Sequence, residues 1–295
     1  MKKIDLKLAV QAKTEQQTVT DITLTELVNA YCAHTLAADP YSFKKWTDAF
    51  GDQCAWNVDA YQLDIAGEAM IEAGYANSTV NRNFSLLGQV YRWAKKKRMT
   101  PKGFISPTLH LTRYEEAIRE VKLTDTQLQR IIDASYAVRD RRFTVLIRLL
   151  AESGARLSEV AERRWGDIDM ERREIIVERT KTGVPRILHF TEETAKLMLR
   201  VWKERPESAM LFASTRAPSK PTNYRKSWKQ ITEAAGVPNL RLHDLRHHRA
   251  KQLLAAGVTI GVASQALGHS SLILQRRYGH LESKTTKQAL ELSWN

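Results

Sequence analysis

The chain has 295 residues, of which 43% are hydrophobic and 27% charged, so it can bury a core and is not a disordered chain. Its net charge of +13 predicts a polyanionic partner, most commonly nucleic acid, and residues 111–295 contribute most of it with 33 basic against 22 acidic residues. Two cysteines are too few for a disulfide framework, and no segment approaches the ~20 apolar residues of a membrane span, so we expect a cytoplasmic protein with no membrane partner.

A polar arm and a helical domain are predicted for the first third of the chain. Residues 1–22 form the arm, whereas 23–100 carry apolar residues at helical spacing. The last helix ends in four consecutive basic residues at 95–98, which either complement the helix dipole or contact phosphates. Residues 101–120 begin with two prolines and a glycine, which predicts a linker.

A second domain is predicted over residues 121–295. Thr124 begins its first helix, and 143–150 are apolar enough for a buried helix. β-Branched residues at 174–179 and 185–190 predict two strands joined by a turn, and helical patterns follow. The predicted fold class is therefore mainly α with a small antiparallel β-sheet.

Arg156 is the first candidate for anion binding. It precedes Ser158 and Glu159, which suit the start of a helix, where free N–H groups and the positive dipole end favour anions. A guanidinium at such a turn can clamp a phosphate through two hydrogen bonds. The alternative is a surface arginine paired with Glu159.

Basic residues at two later positions suit contacts with a phosphate backbone. Lys181 lies at the predicted hairpin tip, where a lysine either enters a groove of DNA or is simply solvated. His243 and Arg246 are three residues apart, so they share a helix face and can contact one phosphate, unless they are a capping histidine and a solvated arginine. The neighbouring His247 and His248 raise the possibility of zinc, which is disfavoured because no cysteine lies nearby and HExxH is absent.

A tyrosine follows a further histidine near the end of the chain. Gly268 is predicted to end one helix just before His269, and the next helix carries Tyr278. A tyrosine on a short helix is usually a core residue. Arg276, Arg277 and His280 surround this one in sequence, so we expect it on a polar surface.

These candidates fall in short motifs with a recognisable order. They are Arg156 in G-x-R-x-x-E, Lys181 in T-K-T-G, His243 and Arg246 in L-H-D-L-R-H, His269 in L-G-H-S-S, and Tyr278 in R-Y-x-H. In order, spacing and flanking residues the set resembles the tyrosine recombinases, or phage integrase family, which includes the Xer-type resolvases. The resemblance covers 121–282 closely, and 23–99 are similar to the family's N-terminal core-binding domain.

The resemblance implies an enzyme that cuts and rejoins DNA strands. In the family a tyrosine attacks a phosphodiester and forms a 3′-phosphotyrosyl link, and neither a metal nor another cofactor is needed. The roles carried over by position are nucleophile for Tyr278, general acid for Lys181, base or hydrogen-bond partner of the phenol for His243, and ligands of the reacting phosphate for Arg156, Arg246 and His269.

The resemblance also implies an architecture and partners. We expect a helical core-binding domain, a mixed α/β catalytic domain and a C-terminal tail exchanged between subunits, with docking of this tail on its own domain as the alternative. The expected partners are double-stranded DNA with inverted-repeat core sites, three further copies of the chain in a homotetramer on two duplexes, and, as an option, an accessory DNA-bending protein.

Several biological roles are compatible with this chemistry. We favour integration and excision of a phage or other mobile element, with a Xer-like resolvase or a DNA invertase as alternatives. A type IB topoisomerase uses similar residues, but the two-domain layout and the L-G-H-S-S segment favour a recombinase. A catalytically silent DNA-binding regulator is disfavoured because all six active-site positions are filled.

Overall fold

The computed structural model of the chain describes residues 21–35, 38–116, 122–178, 185–268, 270–276 and 278. The chain divides into two compact units, Met1–Arg119 and Glu120–Asn295. Four predicted features lie outside the described residues: the N-terminal arm up to residue 20, Lys181, His269 and the C-terminal tail. Within the described ranges, none of the helices is both long and apolar enough to cross a membrane.

The first unit is helical in its described residues. It contains α1 (Leu24–His34), a 3-10 turn (Pro40–Phe43), α2 (Lys44–Phe50), α3 (Ala60–Glu72) and α4 (Asn77–Lys96). Thr23 begins α1 with a capping box, because its side chain accepts from the Glu26 N–H while the Glu26 carboxylate accepts from the Thr23 N–H. Trp46 is fully buried at the centre of the unit, and its indole N–H donates to the Asn83 carbonyl (3.2 Å).

Residues 101–116 pack along the first unit. The Asn81 side chain on α4 donates to the Tyr114 carbonyl (2.8 Å) and accepts from the Tyr114 N–H (3.1 Å). The Tyr114 ring stacks on Phe84, and Leu111 is buried in the same core. These contacts hold the segment against α4 by hydrogen bonds and by apolar burial.

The second unit combines helices with a small sheet. It contains α5 (Asp125–Ser135), α6 (Arg142–Ser153), α7 (Leu157–Ala161), β1 (Ile168–Asp169), β2 (Glu174–Val177), β3 (Arg186–His189), α8 (Glu192–Val201), α9 (Arg225–Ala234), α10 (Leu242–Ala255) and α11 (Ile260–Leu267). The strands pair antiparallel in the order β1-β2-β3, with Ile168 opposite Ile175 and Val177 opposite Arg186. Residues 271–276 are again helical. The predicted fold class, mainly α with a small antiparallel sheet, is confirmed.

Helix α6 lies at the centre of this second core. Every residue from Phe143 to Ala151 is buried, including Arg148. The Arg148 guanidinium is satisfied by Thr194 on α8 (2.8 Å) and by the carboxylates of Glu193 and Glu152 (2.8 and 3.2 Å). Because α6 is buried along most of its length, its packing fixes the position of the turn that follows it.

Candidate active site

The turn after α6 positions the first predicted arginine. Gly154 ends α6 in the left-handed conformation (φ +63°), and a Cβ at this position would lie 2.4 Å from Leu267 Cδ2 on α11. Both the backbone and the close approach of α11 therefore require glycine here. Arg156 follows two residues later as the N-cap of α7.

Glu159 on α7 joins two arginines. Its carboxylate accepts from the Arg156 backbone N–H (2.7 Å), from Arg156 Nη1 (2.8 Å) and from Arg186 Nη2 (2.6 Å). The Glu159 side chain is only 4% exposed, so these hydrogen bonds compensate a charge that would otherwise be costly to bury. The Arg156–Glu159 pair considered from the sequence exists, but it is partly buried within the site rather than on the surface.

Arg246 and Arg156 converge on one carbonyl. Arg246, on α10, is 1% exposed and donates through Nη1 to the Gly154 carbonyl (2.8 Å) and through Nη2 to the Gly268 carbonyl (3.5 Å). Arg156 Nη2 donates to the same Gly268 oxygen (3.0 Å). Burial and the positive charges of Arg156 and Arg186 lower the pKa of Arg246 to about 9. The site therefore concentrates positive charge that an anion would stabilise.

Arg186 belongs to this cluster although the sequence analysis did not select it. Besides Glu159, it donates through Nη1 to the Ala266 carbonyl (3.2 Å). Burial lowers the pKa of Arg186, and the nearby charge of Arg156 lowers it further against the opposing effect of Glu159. The alternation of side chains along a strand could have indicated that Arg186 points inward. Arg186 shares the inner face of β3 with the buried Leu188, whereas Ile187 is exposed.

Tyr278 contributes its hydroxyl from an apolar setting, so the expectation of a polar surface is wrong. Its side chain is 4% exposed and packs in a cluster with Ala250, Leu254, Ala263, Leu267 and Leu274. The basic neighbours in sequence misled the analysis, because the apolar partners come from α10 and α11. The ring is buried while the hydroxyl reaches a polar partner, an arrangement that suits the amphipathic tyrosine side chain.

That partner is His247. Its Nδ1 lies 2.6 Å from the Tyr278 hydroxyl oxygen. The predicted partner, His243, lies one turn earlier on α10 and is exposed. Its ring meets the His247 ring edge-on, with centroids 4.9 Å apart and an interplanar angle of 89°. The sequence analysis weighed His247 only as a metal ligand, because adjacent residues on a helix point in different directions and the sequence does not show which of them faces the site.

The remaining histidine of the triplet has a separate contact. His248 Nε2 lies 2.9 Å from Asp125 Oδ1 at the start of α5, and Gln252 donates to the same oxygen (2.6 Å). His247 and His248 thus point to different partners. In the part of the chain that the structure describes, no group of three His, Cys, Asp or Glu side chains could hold a metal ion.

Two predicted site residues, Lys181 and His269, lie outside the described residues. In sequence, Lys181 lies between β2 and β3, whose last pair is Val177–Arg186, and Arg186 is part of the arginine cluster. His269 directly follows Gly268, whose carbonyl both Arg156 and Arg246 contact.

Comparison with known proteins places this site in a family. Residues 122–285 match the sequence model of the phage integrase family. The tyrosine recombinase XerA of Saccharolobus solfataricus is 34% identical over 164 residues, which are 55% of this chain and 53% of XerA. The tyrosine recombinase XerD of Neisseria meningitidis is 24% identical over 241 residues, 76% of this chain and 79% of XerD. The chain thus spans about half the length of the XerA relative.

Solved structures share the fold. The Tn1549 transposon integrase in complex with transposon right end DNA superimposes with a TM-score of 0.71 over 92% of this chain and 99% of that one, at 18% identity. A lambda integrase dimer bound to a COC′ core site gives 0.66 over 87% and 95%, at 17% identity. These likenesses support the two-domain architecture predicted from the sequence. The match of residues 122–285, which is more than half of the chain, shows that the chain belongs to the phage integrase family.

Proposed function

We propose that the protein is a site-specific DNA recombinase that cleaves and rejoins DNA through a 3′-phosphotyrosyl intermediate at Tyr278. One observation carries the proposal: the Tyr278 hydroxyl and the Arg156–Arg246 pair, which are distant in sequence, belong to one site. Tyr278 interacts electrostatically with Arg246, and Arg246 shares the Gly268 carbonyl with Arg156. A tyrosine hydroxyl that interacts with one of two guanidiniums sharing a carbonyl suits an attack on a phosphodiester.

The chemistry follows from this arrangement. The Tyr278 oxygen attacks phosphorus, the bond to the 5′ oxygen breaks, and the DNA leaves a free 5′-hydroxyl while its 3′-phosphate is bound to the tyrosine. Covalent catalysis divides the exchange into two transesterifications, and the reverse attack by a 5′-hydroxyl reseals a strand. No external energy is needed because the phosphodiester is replaced by a phosphotyrosyl ester.

The arginines stabilise the charge that develops during the attack. Arg156, Arg186 and Arg246 oppose a single carboxylate, Glu159, so the cluster carries a formal net charge of +2 before Lys181 is counted. Donors that are already in place for a developing oxyanion are worth about 3 kcal/mol each in other enzymes. A phosphate oxygen would compete with the Gly268 carbonyl for the Arg156 and Arg246 donors.

The remaining roles rest on position within the family motifs. Lys181 donates a proton to the leaving 5′ oxygen and His269 binds a non-bridging phosphate oxygen. His243 is exposed three residues before Arg246 on α10, and its proposed role is to contact the phosphate or assist the phenol. The chain uses no metal and no other cofactor in this scheme.

The DNA partner is supported by charge and by relatives. Residues 111–295 hold 33 basic against 22 acidic residues, so counterion release should make binding strongly dependent on salt. One structural neighbour is a lambda integrase tetramer bound to a Holliday junction. We extend this assembly to the present chain as a homotetramer on two duplexes with inverted-repeat core sites, joined by C-terminal tails and optionally assisted by a DNA-bending protein.

The biological role we favour is integration and excision of a phage or other mobile element in the cytoplasm of a bacterial host. The likeness to a transposon integrase and to lambda integrase supports this role. A Xer-like resolvase is the second candidate, because several curated relatives are Xer recombinases. A tRNA gene and direct repeats flanking the gene would indicate integration, whereas a target at the chromosome's dimer-resolution site would indicate a resolvase.

A selection on randomised DNA tests the enzymatic proposal. The probe is a duplex with a nick beside a randomised core. After cleavage the short strand with the 5′-hydroxyl dissociates, so it cannot reseal the DNA and the covalent adduct is trapped. We expect detergent-resistant adducts with one enriched sequence for the wild type and none for Tyr278→Phe, which should still bind the enriched duplex in a gel shift. Failure of the wild-type protein to form any adduct, or equal trapping by Tyr278→Phe, would overturn the proposal.

A further inference from the structure

We propose that His247, and not His243, accepts the proton of the Tyr278 hydroxyl during strand cleavage. This inference rests on the proposed recombinase function and assigns a role at the same site. His247 Nδ1 lies 2.6 Å from the nucleophilic oxygen, within the distance that a general base requires. His247 therefore touches a reacting atom and qualifies as a catalytic residue.

The surroundings of Tyr278 explain why it depends on such a partner. The phenol ring is buried among apolar side chains of α10 and α11, which give a developing phenolate little solvation. A free phenol titrates near pH ~10, so at neutral pH it keeps its proton until an acceptor takes it. A neutral imidazole in direct contact with the hydroxyl can take that proton as the oxygen attacks.

The two histidines of α10 suit different tasks. His243 and His247 are four residues apart on one face of the helix, with their rings edge-on at 4.9 Å. His247 is half-buried beside the phenol, whereas His243 is exposed one turn closer to the N-terminus of α10. An exposed imidazole is placed to meet a phosphate of bound DNA, and the half-buried one is placed to serve the nucleophile.

The step balances with groups that the proposed mechanism already contains. As the Tyr278 oxygen forms its bond to phosphorus, its proton moves to Nδ1 of His247; this step uses the neutral tautomer with its hydrogen on Nε2. The bond between phosphorus and the 5′ oxygen breaks, and Lys181 supplies the proton of the new 5′-hydroxyl. During resealing the same protons return, so His247 becomes the acid that releases Tyr278.

The substitution His247→Asn distinguishes a role of His247 in proton transfer from a role in hydrogen bonding alone. The asparagine amide is close to the position of Nδ1 and can hold the phenol by a hydrogen bond, but it is not a base. The probe is the nicked duplex enriched in the selection above, and the readout is the single-turnover rate of adduct formation. His243→Asn, the same substitution one turn earlier on α10, is the matched comparison.

We expect His247→Asn to slow adduct formation by about 10²–10⁴-fold, the range for loss of a general base, while binding of the duplex is retained. Replacing Tyr278 by a ring-fluorinated tyrosine, whose phenol is more acidic, should recover much of that loss in His247→Asn. The same replacement should recover little in His243→Asn, because a phosphate contact does not depend on the acidity of the phenol.

The outcomes that overturn the inference are separate from those that overturn the proposed function. Adduct formation by His247→Asn within about fivefold of wild type would refute the role of His247. So would equal recovery of both variants by fluorotyrosine. A misfolded variant would not regain its rate of adduct formation when fluorotyrosine replaces Tyr278. The recovery therefore distinguishes loss of the base from loss of structure. Failure of wild type to form the adduct would instead refute the recombinase proposal.

Discussion

Replacing Glu159 by glutamine should destabilise the second unit by about 3–5 kcal/mol, the usual cost of removing one partner from a buried ion pair. The Glu159 side chain is 4% exposed and accepts three hydrogen bonds of 2.6 to 2.8 Å from Arg156 and Arg186. Glutamine has the same shape, but it presents an NH₂ group to one donor and leaves the two guanidiniums of Arg156 and Arg186 without a carboxylate. Because the Arg156 side chain is 23% exposed, solvent offsets part of the loss, and we expect the lower end of this range.

Hydrogen exchange during urea titration measures this loss within the full chain. Peptides from α6 report opening of the second unit separately from peptides of α4 in the first. The matched control is Glu192→Gln, because Glu192 also pairs at 2.6 Å, with Lys196, but both side chains are largely exposed. The control should change exchange of α6 very little. A cost below about 1 kcal/mol for Glu159→Gln would refute the view that this carboxylate holds the arginine cluster together.

Three further predictions concern other parts of the second unit. Gly268→Ala should lower the thermal unfolding temperature of the second unit more than Gly257→Ala. Both glycines have positive φ, but only a Cβ at 268 would meet a neighbouring atom, Arg186 Nη1 at 2.6 Å. Equal decreases in the two variants would contradict this. Burial acts to raise the pKa of Asp140, but hydrogen bonds from Arg142 outweigh it and lower the pKa overall. The pair should therefore stabilise the fold above about pH 4 and lose this contribution as the pH falls further. Asp140→Asn should remove this pH dependence of the unfolding free energy. Lys181→Ala should cleave slowly, and a substrate with a 5′-phosphorothiolate leaving group, which departs without a proton, should restore its rate if Lys181 is the general acid.

Much of the architecture could be predicted because it depends on local patterns. Capping residues such as Thr124 and the β-branched runs at 174–179 and 185–190 indicated the helix start and the two strands correctly. Arg156 and Arg246 were selected from short motifs, and the structure places both at the Gly268 carbonyl. Their catalytic roles stay a prediction.

The errors and omissions arose where partners are distant in sequence. Tyr278 was expected on a polar surface because its neighbours in sequence are basic, whereas its burial depends on α10 and α11. Arg186 pairs with Glu159, which lies 27 residues earlier. Strand alternation puts Arg186 on the inner face of β3, but the sequence does not identify the partner it meets there. His247 was not selected because it lies in a run of adjacent polar residues on a helix. A role at the site can be assigned to one of them only when the direction of its side chain is known.

The central claim is that the Tyr278 oxygen forms the covalent bond with DNA. The most direct test is mass spectrometry of the trapped adduct after digestion of the protein and the DNA. The account predicts a nucleotide joined through its 3′-phosphate to the peptide containing Tyr278, formed in the presence of a metal chelator. A nucleotide on any other residue, a link through a 5′-phosphate, or cleavage that leaves no protein on the DNA would contradict it.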